Sequence, residues 1–225
     1  MSQVAPTETF KTLITVVPEI VYGIQSLIPD SILFGSLVLY FLTQNRAFGV
    51  FSVFIFETAL VHKLISWTTV QTVGPSRPQD TPSVACRVGF KTPQFSADRI
   101  FSHAPYPSYG MYSIVAMATY LLMATKEFSN TLNAMGAEWS SRATAAYVGT
   151  ALLLVLFMIV RMYTCDTLTE ILIATVFALI TGLIFFYINK SIFGEEAMNF
   201  LGLPYMVTKE SQGSPIYVCA AEKKE

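Results

Sequence analysis

Long apolar stretches separated by short polar segments dominate the chain from residue 28 to residue 188. A helix that crosses a bilayer needs about 20 predominantly apolar residues. Five stretches meet or approach this length and are predicted to be membrane-crossing helices: Ile28–Thr43, Phe48–Trp67, Ser108–Thr125, Ala143–Val160 and Leu168–Ile188. The pattern therefore predicts an all-α fold, a multi-pass transmembrane helical bundle.

The beginning of the chain leaves the number of helices open. The polar residues 44–46 lie between the first two stretches, so these two helices are predicted to form a tight antiparallel hairpin. Phe10–Ile28 is also apolar, but a proline, a glutamate and a glutamine interrupt it. This segment is either a further crossing helix or an amphipathic helix that lies in the membrane interface. The bundle is thus predicted to contain five or six helices.

Three regions follow from this pattern. Residues 1–29 form the N-terminal amphipathic or first membrane helix, residues 30–190 form the transmembrane bundle, and residues 191–225 form a C-terminal interfacial segment and tail. Within the bundle region, the polar loop 68–107 contains six prolines. A loop of this length is too long to be a simple connector, which indicates a functional segment or one that binds a partner.

Composition supports a membrane protein. Of the 225 residues, 53% are hydrophobic and 13% are charged, whereas a soluble domain has about 25% charged residues. The net charge of −1 and the absence of a basic cluster argue against a nucleic-acid partner. Basic residues lie on both predicted sides of the membrane, so the orientation stays open.

The cysteines give no indication of a metal or cofactor. The chain has three of them, Cys86, Cys165 and Cys219, which are far apart in sequence. Zinc and iron–sulfur sites use closely spaced cysteine pairs. No metal site and no cofactor are therefore predicted.

Polar motifs stand at the ends of the apolar stretches. Arg77-Pro78 follows the second stretch, Pro107-Ser108 opens the third, and Arg161 closes the fourth. In a bundle of six helices that alternate in direction, all three motifs fall on the same side of the membrane. They are therefore predicted to converge.

The order of these motifs resembles that of the type 2 phosphatidic acid phosphatase (PAP2) family, whose members dephosphorylate lipid phosphates. The resemblance covers the chain from Phe48 to Ile188. It implies a six-helix membrane bundle with a phosphate site, in which Arg77, Ser108 and Arg161 are the phosphate-binding residues. Arginine suits this task because its planar fork binds two oxygens at once.

The catalytic groups of that family are missing from this chain. In the family one histidine attacks phosphorus, a second protonates the leaving oxygen, and a lysine helps to hold the phosphate. The corresponding positions here are Thr167, Gly110 and Val70. Ile171 replaces the aspartate that orients the nucleophile, with Glu170 one position earlier. Covalent phosphoryl transfer needs a nucleophile and an acid, so no catalytic residue is predicted.

Two histidines are present, and neither matches a family position. His103 lies in the polar loop shortly before the second motif, as either an accessory site residue or an exposed loop residue. His62 lies near the end of the second stretch, beside Lys63. Lys63 either reaches toward the site as an accessory residue or extends to the lipid headgroups.

The remaining ionisable residues also allow two interpretations. Glu170 and Asp166 are four residues apart at the start of the last helix, where carboxylates favour the positive helix end. Alternatively, Glu170 pairs with Arg161 across the turn and belongs to the site. Glu57 lies deep in the second stretch and needs a partner or water, which makes it either an internal polar clamp or a transport residue.

A pair of small residues predicts one close helix contact. Ala145 and Gly149 are spaced four apart in the fourth stretch. This spacing is typical of transmembrane helices whose backbones approach closely.

The sequence therefore predicts a non-catalytic membrane protein with a structural or scaffolding role in a large membrane-associated assembly. A virion membrane, with this chain as a minor capsid component, and an organellar membrane are the two settings considered. The alternatives are a divergent lipid phosphate phosphatase and a protein that binds lipid phosphate without turnover. The predicted partners are the bilayer with its anionic headgroups, and other subunits that contact loop 68–107 and the C-terminal tail.

Overall fold

The computed structural model describes residue 24 and residues 27–73, 107–134, 137–164 and 166–200. These residues form helices and no strand, so the all-α prediction is confirmed for this part of the chain. The elements are α1 (Leu27–Thr43), α2 (Arg46–Val73), α3 (Tyr109–Glu127), α4 (Ser129–Ala134), α5 (Ala137–Thr164), α6 (Leu168–Phe193) and a 3-10 helix (Glu195–Met198). Each of the five apolar stretches coincides with one of the five longer α-helices. Predictions for residues 1–23, most of the polar loop and the tail beyond residue 200 lie outside the described residues.

Three of the described helices are long and apolar enough to cross a membrane. Their apolar segments are Arg46–Thr69 in α2, Glu138–Tyr163 in α5 and Leu168–Phe193 in α6. Helix α1 is apolar but shorter, and α3 is not among the three. Large hydrophobic side chains are exposed along all three, among them Val53, Phe56, Leu60, Leu64, Leu152, Leu153, Leu172, Val176, Ile180 and Ile184. Apolar surfaces of this extent mark contact with a membrane or with another protein.

Helix α3 lies at the centre of the bundle, between α2 and α6. All residues from Tyr109 to Met117 are buried, as are Tyr120 and Ala124. Its many small and hydroxyl-bearing side chains suit an interior position better than contact with lipid. The helix that the sequence predicted as a third crossing is therefore an inner helix of the bundle.

Close contact between α3 and α6 depends on small residues. A Cβ atom added at Gly182 would lie 2.9 Å from Thr119 Cβ and 3.0 Å from the carbonyl oxygen of Ala116. Ala174 and Ala178, which precede Gly182 by two turns and one turn of α6, are fully buried. Small side chains let helix backbones approach closely and gain packing contacts.

The predicted close packing at Ala145 and Gly149 is wrong within the described residues. A Cβ atom at Gly149 would meet no heavy atom within 4 Å, and Ala145 is exposed. Helix α5 lies at the periphery, with only 6% of its apolar segment buried. The same spacing of small residues therefore marks the packed face in α6 and an open face in α5.

The predicted hairpin of α1 and α2 is present. Gln44 turns the chain with a positive φ of 55°, and the side chain of Asn45 accepts a hydrogen bond from the N–H of Ala47 at 2.9 Å. The hydroxyls of Ser36 and Ser52, at nearly equal distances from the turn, form a hydrogen bond of 2.7 Å. This bond joins the two helices in antiparallel register.

An aromatic group fills the half of the bundle near this hairpin. The rings of Phe54 and Tyr120 stack with centroids 4.1 Å apart. Phe186 from α6 contacts Tyr120 edge-on at 5.6 Å, and Phe200 contacts Phe51 edge-on at 5.4 Å. The rings connect α2, α3, α6 and the chain after the 3-10 helix into one core.

The beginning of the C-terminal region packs on the bundle. Ala197 and Met198 of the 3-10 helix are buried. The Asn45 side chain donates a hydrogen bond to the carbonyl oxygen of Asn199 at 3.1 Å. Apolar and polar contacts together hold this segment against the hairpin turn, and its predicted place in the membrane interface stays a prediction.

Candidate functional site

The end of α5 and the start of α6 bring two opposite charges together. Only residues 165–167 separate these two helices. The N–H of Asp166 donates a hydrogen bond to the carbonyl oxygen of Arg161 at 2.9 Å. A bond that reaches back five residues in this way is typical of the Schellman motif, which ends many helices. Local turn geometry therefore places both side chains at the same helix end.

Helix α6 begins with a capping box formed by Thr167 and Glu170. The Glu170 carboxylate accepts hydrogen bonds from the N–H of Thr167 at 2.8 Å and from its hydroxyl at 2.9 Å. The N–H of Glu170 in turn donates to the Thr167 hydroxyl oxygen at 3.4 Å. The pattern Thr-x-x-Glu is typical of a helix start. The residue at the family's nucleophile position is therefore a helix cap.

Arg161, Asp166 and Ser108 form a hydrogen-bonded triangle, called here the arginine cluster. Arg161 Nε donates to Asp166 Oδ2 at 2.7 Å, and Arg161 Nη2 donates to Ser108 Oγ at 3.2 Å. The Ser108 hydroxyl donates to Asp166 Oδ2 at 2.5 Å. Arg161 thus pairs with Asp166 instead of with Glu170, because the turn brings Asp166 to the guanidinium while Glu170 caps α6.

The arginine cluster is buried and carries no net charge. Ser108 is 0%, Arg161 2% and Asp166 8% exposed. A charge removed from water is tolerated when it is paired and hydrogen-bonded. Two nitrogens of the guanidinium, which would otherwise suit two phosphate oxygens, point at groups of the chain itself.

Ser108 also connects the cluster to α3. It is the N-cap of α3, and its Oγ accepts a hydrogen bond from the N–H of Met111 at 3.5 Å. Ser108 and Arg161, two of the three predicted phosphate-binding residues, therefore lie in contact. Arg77 and His103 lie outside the described residues.

His62 supports the start of α3 from the neighbouring helix α2. It is fully buried, and its Nε2 lies 2.7 Å from the carbonyl oxygen of Pro107. A carbonyl oxygen only accepts hydrogen bonds, so Nε2 carries the proton and donates it. The rings of Tyr109 and Tyr112 flank the imidazole, with centroids 4.9 Å and 5.0 Å away.

The position of His62 has a sequence signal that motif matching misses. Thr58, His62 and Ser66 are four residues apart and are all buried. Residues at this spacing lie on one helix face, so the polar stripe identifies the inner face of α2. Lys63, the next residue, is partly exposed and forms no ion pair within the described residues.

A second polar contact, called here the glutamate pair, joins Glu57 of α2 to Asn189 of α6. Asn189 Nδ2 donates to Glu57 Oε2 at 3.2 Å. Asn189 is fully buried, and its Oδ1 has no hydrogen-bond partner within the described part of the chain. Glu57 is partly exposed. The internal clamp that the sequence predicted for Glu57 is therefore present, but with a single hydrogen bond.

The described residues include no group of three or more histidine, cysteine, aspartate or glutamate side chains that could hold a metal ion. Searches of protein-family models, curated proteins and solved structures found no match to this chain. The phosphatase resemblance stays a prediction.

Proposed function

We propose that this chain is a non-catalytic, multi-pass membrane protein with a structural role in a membrane-associated assembly. The observation that carries the proposal is the closed arginine cluster, in which the chain itself neutralises the residue expected to bind phosphate. The cluster joins the start of α3, the end of α5 and the start of α6. Its role is to hold these three helix ends together.

The electrostatics of the cluster oppose phosphate binding. Asp166 already supplies the negative charge that Arg161 needs. A phosphate group placed beside Arg161 would bring further negative charge next to a buried carboxylate, and like charges at short range repel. Binding would therefore require Asp166 to move away and solvate its charge.

The nearby hydroxyl and imidazole are also committed to structural contacts. The Ser108 hydroxyl donates to Asp166, whose carboxylate is at the same time paired with Arg161. The proton on Nε2 of His62 is donated to a backbone carbonyl. A catalytic nucleophile and its acid must reach the reacting group, and these contacts direct both groups elsewhere.

The proposal includes α1 and α3 as further crossings beside α2, α5 and α6. Helix α1 is joined to α2 by the hairpin, and α3 is enclosed between α2 and α6. The 19 residues of α3 correspond to about 28 Å at 1.5 Å per residue, which is close to the bilayer core thickness of about 30 Å. The exposed apolar side chains of the outer helices then contact lipid or neighbouring proteins.

Phosphate release tests the proposal against the enzyme alternative. The protein is purified in detergent, supplied with phosphatidic acid, and compared with Arg161→Met. The proposal predicts no phosphate release above background from either protein. Release by the unmodified protein that Arg161→Met abolishes would establish the phosphatase alternative.

Lipid mass spectrometry on the same preparations tests the binding alternative. The proposal predicts the same lipids with the unmodified protein and with Arg161→Met. An anionic lipid that Arg161→Met loses while its helical circular dichroism signal matches that of the unmodified protein, and that Arg142→Met retains, would establish lipid-phosphate binding. Arg142 is a suitable control because its ion pair with Glu138 is exposed to solvent.

Migration of the chain tests the structural role itself. Native membranes are extracted with a mild detergent, and the complexes are separated by size under native conditions. The proposal predicts that the chain migrates in a complex with other proteins. Migration as a single chain would contradict a role in an assembly.

A further inference from the structure

An open cavity, called here the hairpin cavity, lies at the end of the bundle where α1 turns into α2. Its volume is about 410 Å³, and it is lined by Gln44, Asn45, Arg46 and Glu196. Pockets that hold small ligands in proteins have volumes of about 300–1,000 Å³. The hairpin cavity is therefore large enough for a small polar group, and it lies at the opposite end of the bundle from the arginine cluster.

Two opposite charges line the hairpin cavity without pairing. Arg46 and Glu196 are exposed, and neither forms an ion pair with any of the described residues. A simple anion beside Arg46 would be repelled by Glu196, and a simple cation beside Glu196 would be repelled by Arg46. The charges of the cavity therefore favour a ligand that carries both a negative and a positive group.

Asn45 fixes the wall between the two charged side chains. Its Oδ1 accepts a hydrogen bond from the N–H of Ala47 at 2.9 Å, and its Nδ2 donates one to the carbonyl oxygen of Asn199 at 3.1 Å. One bond belongs to the helix that Arg46 begins, and the other reaches the segment that carries Glu196. Contacts within the chain thus hold the two sides of the cavity in place.

The hairpin cavity lies where two apolar segments end. Arg46 is the first residue of the apolar segment Arg46–Thr69, and Glu196 follows the end of the segment Leu168–Phe193 by three residues. In the proposed membrane placement, both residues therefore lie where the hydrocarbon core meets the headgroup layer. This layer is about 5–8 Å thick on each side of a bilayer, so a cavity at this level is within reach of lipid headgroups.

Exposed apolar side chains stand next to the cavity. Phe41 and Leu42, in the last turn of α1, are 68% and 76% exposed. The side chain of Gln44, which lines the cavity, donates a hydrogen bond to the carbonyl oxygen of Phe41 at 2.8 Å. A polar cavity beside an apolar surface fits an amphiphile, whose head enters the cavity while its chains lie along the apolar side chains.

We propose that the hairpin cavity binds the headgroup of a zwitterionic phospholipid. Arg46 binds the phosphate, because a guanidinium group donates two hydrogen bonds to phosphate oxygens, and Glu196 accepts hydrogen bonds from the ammonium group. Phosphatidylethanolamine fits best, since its ammonium group has N–H donors that a choline headgroup lacks. The inference rests on the proposed function, because it requires the membrane placement, and it names a lipid that the protein binds there.

Native mass spectrometry of the full chain in detergent tests this site. The protein is titrated with phosphatidylethanolamine and with phosphatidylglycerol that has the same acyl chains. Phosphatidylethanolamine is expected to bind about tenfold more tightly, because phosphatidylglycerol keeps the phosphate but has no ammonium group to pair with Glu196. Equal binding of the two lipids, or tighter binding of phosphatidylglycerol, would overturn the inference.

A soluble compound with the same headgroup separates a lipid site from a site for a free metabolite. Glycerophosphoethanolamine has the phosphate and the ammonium group but no acyl chains. It is expected to bind at least about tenfold more weakly than the lipid, because it makes no contact with Phe41 and Leu42. Binding as tight as that of the lipid would overturn the assignment to a phospholipid.

Substitutions assign the two charges of the headgroup to two residues. Arg46→Gln is expected to weaken phosphatidylethanolamine binding about tenfold, and Arg46→Lys to retain part of the affinity. Glu196→Gln is expected to abolish the preference for phosphatidylethanolamine over phosphatidylglycerol. Arg142→Gln and Glu138→Gln, which break an exposed ion pair at the same end of the bundle, are the controls and should change neither value.

The part of the chain that the structure does not describe is the competing occupant of the cavity. Residue 201 follows Phe200, whose ring contacts Phe48 in the first turn of α2 edge-on at 5.9 Å, so the tail starts close to the cavity. If a segment of the chain itself fills the cavity, lipid binding will not respond to Arg46→Gln or Glu196→Gln. That result would overturn the inference.

Vesicle flotation separates a failure of this site from a failure of the proposed function. If the chain floats with the vesicles but shows no preference that depends on Arg46 and Glu196, the lipid site is wrong while the membrane placement stands. If the chain does not enter the vesicles, the membrane placement and the lipid site are both wrong.

Discussion

The arginine cluster and the glutamate pair are two polar contacts of one bundle that differ in burial and in the number of hydrogen bonds. In the arginine cluster, two opposite charges and a hydroxyl are joined by three hydrogen bonds and are 8% exposed or less. In the glutamate pair, Glu57 receives a single hydrogen bond from Asn189 and stays partly exposed. The first lies at the start of α6 and the second near its end.

This difference distinguishes a contact between buried, paired charges from one in which a single carboxylate stays partly exposed. In a buried, neutral cluster, a further negative charge beside Arg161 would be repelled by Asp166, which already pairs with it. An incompletely satisfied carboxylate gains a partner when a positive charge arrives. Ser108 and Arg161 are therefore engaged in contacts within the chain, whereas Glu57 accepts one hydrogen bond from Asn189 and stays partly exposed.

Asp166→Asn is expected to have the largest effect on the arginine cluster. The change leaves the Arg161 charge buried without its counter-ion, which costs about 3–5 kcal/mol of unfolding free energy. Denaturant unfolding in detergent measures this loss. Glu138→Gln, which breaks an exposed pair with Arg142, is the control and should change stability by less than about 1 kcal/mol. Equal effects of the two changes would remove the distinction between a closed cluster and a surface pair.

Gly182→Ala tests the helix contact that connects the two polar groups. The added methyl meets Thr119 Cβ and a backbone oxygen at 3.0 Å or less, so α3 and α6 must separate slightly. Overpacking of this kind costs about 1–3 kcal/mol. Gly149→Ala, into open space, should instead be neutral or stabilise α5 by up to about 1 kcal/mol. Thermal unfolding of both variants checks the contrast, and the opposite order would mean that α5 is the packed helix.

Ser108→Ala tests the contribution of the hydroxyl to the closed cluster. It removes the hydrogen bonds to Asp166 and Arg161 and the cap of α3, a loss of about 1–2 kcal/mol. Ser141→Ala removes an exposed hydroxyl that bonds only to the Glu138 carbonyl oxygen, and should stay within about 0.5 kcal/mol of the unmodified protein. The same unfolding assay compares them. No loss in Ser108→Ala would show that the ion pair alone closes the cluster.

Glu57→Gln is expected to have the smallest effect, although it is the same chemical change as Asp166→Asn. No positive charge is left without a partner, and the amide keeps an oxygen that accepts from Asn189. A change of less than about 1 kcal/mol is expected, typical of substitutions that leave no buried group unsatisfied. A loss as large as that of Asp166→Asn, measured in the same way, would mean that the Glu57 carboxylate is as important to the fold as the buried ion pair.

The sequence was sufficient to predict the helices and one contact of the site. Apolar length determines where a membrane-type helix runs, so all five stretches became helices, although α2 ends and α5 begins six residues beyond the predicted bounds. Alternating helix directions brought Ser108 and Arg161 to the same end of the bundle, where they touch. Both results depend on order along the chain, which a sequence contains directly.

Side-chain partners within that framework were harder to predict. Whether Arg161 pairs with Asp166 or Glu170 depends on the geometry of a three-residue turn. Glu170 bonds to Thr167 in the capping box instead of pairing with Arg161. The choice between Gly149 and Gly182 as the close contact depends on which helix faces α3. Both outcomes depend on distances between different helices, which cannot be read from the spacing of residues within one helix.

A double-mutant cycle on Arg161 and Asp166 tests the central claim most directly. Arg161→Met, Asp166→Leu and the double variant are unfolded in detergent under identical conditions. If the chain closes its own arginine site, each single change is strongly destabilising, and the double variant loses at least about 2 kcal/mol less than the sum of the two. Losses that simply add would contradict the account, because Arg161 would then not depend on Asp166.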